Sequence, residues 1–219
     1  MYRHLDVDPI DVDPDGIAEN QTLAGAGDLT LNGALCDLNG GTFDVAVSGY
    51  GTGIGGVRIA IDSVGDISTV NFTVTGTNQD GIAITQVLTG VTTTAVESTV
   101  YWKTVTQIAS DAAVASAVFV GPVDKVITPT IVLNWRSNYS ATMMVTTVTG
   151  TLQYDILESL INVTATQDFV GGHFDVSQSN KTAVLIATAL LHATAIRLRL
   201  DSYSSGADLH FEVRQNDYN

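Results

Sequence analysis

The sequence predicts an all-β protein: an antiparallel sandwich or jelly-roll-like fold, as one large domain or two small ones, led by an extended acidic N-terminal arm. Three observations carry that expectation. Segment after segment alternates apolar and polar residues with period 2 and is rich in Val, Ile and Thr, as half-buried strands are. Glycine, proline and Asn/Asp clusters interrupt these segments at short intervals, as turns do. Hydrophobic residues make up 45% of the 219-residue chain, enough for a sizeable core, while charged residues make up only 15%. The usual charged fraction is about 25%, so Thr, Ser and Asn must supply much of the surface here.

Residues 1–16, MYRHLDVDPIDVDPDG, are the arm. Asp6, Asp8, Asp11, Asp13 and Asp15 crowd carboxylates together, and Pro9 and Pro14 oppose helix and interior strand. Two readings compete. One is a solvated, extended acidic tail. The other is a cation site: Asp11, Asp13, Asp15 and Gly16 match the first half of the helix–loop–helix calcium pattern, with Glu19 at its ninth position. The twelfth position is Thr22, where that pattern demands Glu, so what survives is a looser calcium or magnesium site on Asp11, Asp13 and Asp15.

Residues 17–121 read as a first β domain. Strands are expected at 29–33, 43–47 and 57–61. Between the last two, Gly51 and Gly56 fall at the ends of a G-x-G-x-x-G spacing. A strand follows where a dinucleotide site needs a helix, so the glycines read as a flexible surface loop. Residues 68–91 are the clearest hairpin: Val70, Phe72 and Val74 alternate, Asp80-Gly81 turns, and Ile82 and Ile84 resume on one face. Along 100–108 the alternation sets Val100 and Trp102 against Tyr101 and Lys103. Aromatics on both faces imply burial on one and contact with a neighbour on the other, which makes Tyr101 and Trp102 candidate interface residues. Residues 110–116 suggest a helical turn and 117–120 a strand.

Gly121, Pro122 and Pro129 mark a linker at 122–129, and 130–219 reads as a second β domain. Its expected strands are 130–135, 141–149, 152–158, 161–166, 196–200 and 207–214. A polar loop is expected at 167–181. Composition leaves 183–191 open between helix and strand. Residues 72–77 and 146–151 share a Thr-Val-Thr-Gly-Thr echo.

Chemistry is sparse. His4, His173, His192 and His210 stand far apart in sequence, without H-E-x-x-H or zinc-ligand spacing. His173 with Asp175 lacks a nucleophile motif beside it. Cys36 is the single cysteine, so neither an intrachain disulfide nor a thiolate cluster can form. The net charge is -14 and no basic stripe exists, which argues against nucleic acid as a partner. No run reaches the length of a membrane helix. Met1-Tyr2-Arg3-His4 leads into acidic residues and not an apolar leader, so the expected place of synthesis and folding is a reducing cytoplasm. Trp102, Trp135, Tyr101, Tyr139 and Tyr154 could form a carbohydrate-stacking platform, or be core and interface aromatics.

Two stretches carry a resemblance. The first runs from Val70 to Ile108, with FTVTGTNQDG, TGVTTTAVEST and YWKTVTQI; the second is 193–215, ATAIRLRLDSYSSGADLHFEVRQ. Together they resemble small β-rich structural proteins of tailed bacteriophages, most like head decoration or cement proteins. The resemblance implies a non-enzymatic virion component, made in the host cytoplasm. It would bind the major capsid protein on the outer surface of the head at capsomer junctions. It would do so as a homo-oligomer, a trimer before a dimer, with no catalytic residues and no cofactor. In that setting the acidic arm, through Asp6 and Asp8, would reach a basic patch on a neighbour. A tail, neck or adaptor ring of the same particle, and a carbohydrate-binding β module of a receptor-binding apparatus, are the alternatives.

Overall fold

The computed structural model describes residues 2–37, 41–92, 94–133, 139–159, 175–188 and 193–217, with no helix among them. The strands in chain order are β1 (Tyr2–Val7), β2 (Ala18–Leu23), β3 (Gly27–Asp28), β4 (Phe43–Asp44), β5 (Gly56–Ser63) and β6 (Asn71–Asn78). Then come β7 (Ala83–Thr89), β8 (Val96–Glu97), β9 (Trp102–Ser110), β10 (Val114–Ile127), β11 (Ile131–Val132) and β12 (Tyr139–Thr149). The last are β13 (Leu152–Ser159), β14 (Asp175–Lys181), β15 (Leu185–Thr188), β16 (Ala195–Tyr203) and β17 (Asp208–Asp217). The chain divides into two compact units. One comprises Met1–Asp11, Gly51–Gly55 and Lys125–Asn219; the other comprises Val12–Tyr50 and Gly56–Asp124.

The second unit is ordered β10-β5-β9-β6-β7, with β2 on β10, β3 and β4 on β9, and β8 on β5. Its centre is the expected hairpin. β6 and β7 pair antiparallel from Asn71↔Thr89 to Thr77↔Ala83. The turn is built on Asn78, whose Oδ1 accepts from the Asp80 and Ile82 amides while Gly81 takes φ +80°. That is an Asx-type turn closed by a left-handed glycine. Val70, Phe72 and Val74 are buried, as their alternation requires.

On β9 the alternation fails, and the reason is two bulges. Register with β6 shifts between Thr75 and Gly76 and again between Thr77 and Asn78. Each bulge adds one residue on β9 and turns the rest of the strand over to the other face. Trp102, Val105 and Ile108, three apart, are thereby all buried.

The first unit carries a four-stranded sheet ordered β1-β17-β12-β15. Leu209, Phe211 and Val213 of β17 are buried between the more exposed His210, Glu212 and Arg214, so one face is dry and the other wet. The same unit holds a second group in which β16 pairs β13 and β13 pairs β14, with β11 and the end of β10 on β16. Here β13 is buried at seven of eight positions. Its buried Asp155 is answered by Arg199, directly opposite on β16, at 2.6 Å. Asp155 also accepts from the Asn180 amide at 2.8 Å.

Several expectations change. Residues 2–7 are not a loose arm: they are β1, paired along its whole length with β17. Residues 122–127, expected as linker, continue β10 despite Gly121 and Pro122. The chain passes from one unit to the other after Asp11, Tyr50, Gly55 and Asp124, so neither unit is continuous in sequence. The helical turn expected at 110–116 is the end of β9, a bend and the start of β10. Residues 175–181, expected in a loop, form β14, and 185–188 form β15. The 72–77 and 146–151 echo is not structural: Gly76 lies inside β6, whereas Gly150 makes the turn after β12 with φ +71°. The strand expected at 161–166 lies outside the described residues.

Candidate functional site

The wet face of the four-stranded sheet gathers a cluster of chemically capable side chains. β1 and β17 pair so that Tyr2 opposes Arg214, His4 opposes Glu212 and Asp6 opposes His210. Period 2 then puts all six side chains on one face, since residues i, i+2 and i+4 of a strand share a side. Leu5 and Val7 turn the other way, opposite Phe211 and Leu209.

Asp6 is the hub. Its Oδ1 lies 2.8 Å from His4 Nε2, and His210 Nδ1 also touches it. The two imidazoles stack, with centroids 5.2 Å apart and planes 23° from parallel. Nδ1 of His210 is shielded from solvent and meets the Asp6 carboxylate. On the far side of the His4 ring, Nδ1 faces Glu212 Oε1 at 3.6 Å. Glu212 is itself held by the Arg214 guanidinium at 2.9 Å and by the Tyr2 hydroxyl at 3.1 Å. The Arg214 guanidinium also lies 5.5 Å from the centre of the Tyr2 ring.

The charges reflect this wiring. The hydrogen bond from His4 holds the Asp6 carboxyl below its ordinary range, with His210 adding to the effect. The hydrogen bond from Arg214 does the same for Glu212. Tyr2 is pushed up by burial and by the carboxylate it donates to. Asp6 is also fixed through its backbone, because its carbonyl accepts from the Gly53 amide at 2.9 Å. A Cβ on Gly53 would sit 2.2 Å from that oxygen. Glycine is therefore required by a close approach, and the 49–56 stretch is not the flexible surface loop expected from sequence.

Of the acidic residues singled out in the sequence, Asp13 and Asp15 lie side by side, and burial together with the Asp15 carboxylate raises Asp13. Asp11 is exposed. Among the described residues, the one group of three or more metal-capable side chains is His4, Asp6 and His210, not the aspartates of 11–15. Asp8 is exposed, and its carbonyl accepts from the Gly51 amide. Tyr101 is half-buried. Trp102 has no exposed surface, so it is a core residue of its unit and not a contact side chain. Tyr154 is also fully buried, with its hydroxyl donating to the Ala183 carbonyl at 2.6 Å. Two of the five aromatics of the supposed sugar platform are thus inside. Trp135, the Tyr139 side chain, His173 and His192 lie outside the described residues.

An open hollow of about 410 Å³ is lined by Ala34, Leu35, Cys36, Asp37, Val47, Ser48 and Gly49. Burial pushes the Cys36 thiol up to about 11, and its Sγ donates to the Ile17 carbonyl. A thiol in that state is protonated at neutral pH and is not a nucleophile.

Sequence reasoning missed the His4–Asp6–His210–Glu212 cluster. The available signal was two period-2 pairs, His4-x-Asp6 and His210-x-Glu212, near opposite ends of the chain. No family model, no curated protein and no solved structure matches this chain.

Proposed function

We propose that this chain is a non-enzymatic structural protein of a tailed-bacteriophage particle. In this reading it binds the outside of the head shell where capsomers meet and acts as a homo-oligomeric decoration or cement protein. The observation that carries the reading is the character of the outer strands. Among the described residues β15 closes one side of its sheet, and beside and on it Val184 and Ile186 are 63% and 72% exposed. β7 ends its own sheet and shows Val87 at 58%. Proteins that stay alone protect such edges with lysine, proline or bulges; β-branched apolar edges suit strand-to-strand assembly. The net charge of -14 adds long-range repulsion between copies, so contacts would form where a lattice concentrates them. Binding that exists only in the assembled shell stabilises it by linkage, and several protomers engaging together multiply a modest affinity.

The test is the native mass of the purified chain, followed by co-pelleting with empty, expanded heads of the phage that encodes it. A discrete trimer or dimer saturating the shells at a fixed ratio per capsomer is the expected result. A larger closed ring that stays in the supernatant would overturn the head assignment in favour of the tail or neck.

A further inference from the structure

We infer that His4, Asp6 and His210 form a binding site for a divalent transition-metal ion of the zinc class, with Glu212 orienting His4 from behind. Four observations converge. The ligand-capable atoms of the three side chains all lie within 4.8 Å of one another. Two imidazole nitrogens, His4 Nε2 and His210 Nδ1, are aimed at one carboxylate oxygen. The second of these is shielded from solvent, so what it meets there is Asp6 and not bulk water. And the ring nitrogen of His4 that would not bind metal faces a carboxylate, as the outer nitrogens of metal-bound histidines do.

The donor set selects the ion. Two imidazoles and one carboxylate suit zinc and its neighbours, whereas calcium and magnesium prefer oxygen throughout. Zinc sits about 2.0–2.2 Å from such ligands, which sets tetrahedral donors roughly 3.3–3.6 Å apart, so donors already within 4.8 Å of one another reach it by small side-chain rotations. The side chains of His4, Asp6 and His210 remain 36%, 50% and 33% exposed, leaving room for water to complete the coordination. Arg214 does not repel the ion strongly, because its charge is engaged by Glu212. The scaffold is already set: β1 and β17 fix the register from Tyr2↔Arg214 to Val7↔Leu209, and the Gly53 amide fixes the Asp6 backbone. An ion here would fasten β1 to β17 through side chains as well as through the backbone ladder, and would stabilise the folded chain in proportion to its occupancy.

The experiment is calorimetric titration of the chelator-treated full chain with zinc, alongside its thermal melt. One zinc per chain is expected, with a rise in Tm that calcium and magnesium do not reproduce. His4→Ala and His210→Ala each abolish the one-to-one binding. Glu212→Gln weakens it about 10- to 100-fold, as loss of an orienting partner does. Asp13→Asn leaves it unchanged, which separates this site from the acidic stretch. Imidazole NMR on the unaltered chain removes any dependence on variant folding, since zinc must shift two histidine spin systems and leave two in place. Zinc binding that survives in the His4→Ala/His210→Ala double variant, or a zinc titration that moves no imidazole, overturns the assignment.

Discussion

Asp13 stands beside Asp15 with part of its surface withdrawn from water, and its carboxyl is raised by that burial first and by Asp15 second. A carboxyl raised in the fold costs stability only where it must ionise. Below the ordinary carboxylate range of about 4 both folded and unfolded chains are protonated there, and no penalty exists. As pH rises through the ordinary value and then the raised one, the penalty grows, and above both it is constant. Asp13→Asn should therefore raise Tm at pH 7, by a gain worth up to about 1 kcal/mol given its exposure, and should give no gain at pH 3. Equal gains at both pH values in thermal melts would show that charge is not the cause. The same residue shows what single positions reveal in a sequence. The spacing of Asp11, Asp13 and Asp15 was plain, and two of the three do meet. The grouping of His4, Asp6 and His210 was not, because Tyr2 and Glu212, which flank it, are 210 residues apart. Only strand pairing brings such residues together, and no local window contains it. Trp102 misled for a related reason: its alternation was read without the bulges that turn it inward.

The strand with the clearest period, β6, is also the one with a demand that period cannot express. Gly76 passes Thr104 so closely that a Cβ there would sit 2.0 Å from the Thr104 carbonyl oxygen. This is the place where β9 is bulged, so the glycine and the bulge are two halves of one device. Gly76→Ala should cost about 1–3 kcal/mol by overpacking, measured as a lower urea midpoint at unchanged slope. An unchanged midpoint would mean that β9 can shift its bulge to admit the methyl group. Elements such as β5, β6, β7, β12, β13 and β16 were legible because one local run decides each of them. β1 was not. Its Arg3, His4 and Asp6 interrupt any apolar alternation, and the strand exists because β17 offers a ladder. β10 was misread because Gly121 and Pro122 are breakers only where their position needs a side chain or an amide. A Cβ on Gly121 would lie 1.9 Å from the Asp13 carbonyl oxygen, so glycine is what lets the 13–16 turn pack against β10.

At the scale of the molecule, the all-β class came from composition and period together, while the partition into units did not. Residues 1–11 and 51–55 belong with 125–219, a grouping that sequence order hides. Charge acts at this scale too, and it makes the assembly proposal testable without any shell. With -14 net charge, copies repel over roughly 30 Å at 0.01 M salt but only about 8 Å at 0.15 M. Association through the apolar edge of β15 should therefore strengthen as salt is raised across that range, seen as a shift to faster species in sedimentation velocity. Ile186→Lys should remove the shift while leaving the melting curve of the monomer within about 0.5 kcal/mol of the parent, since the side chain is exposed. Association that instead weakens with salt would assign the contact to charged groups. It would also return the acidic residues near Asp8 to the role of clamp, because only opposite charges lose attraction as the screening length shrinks.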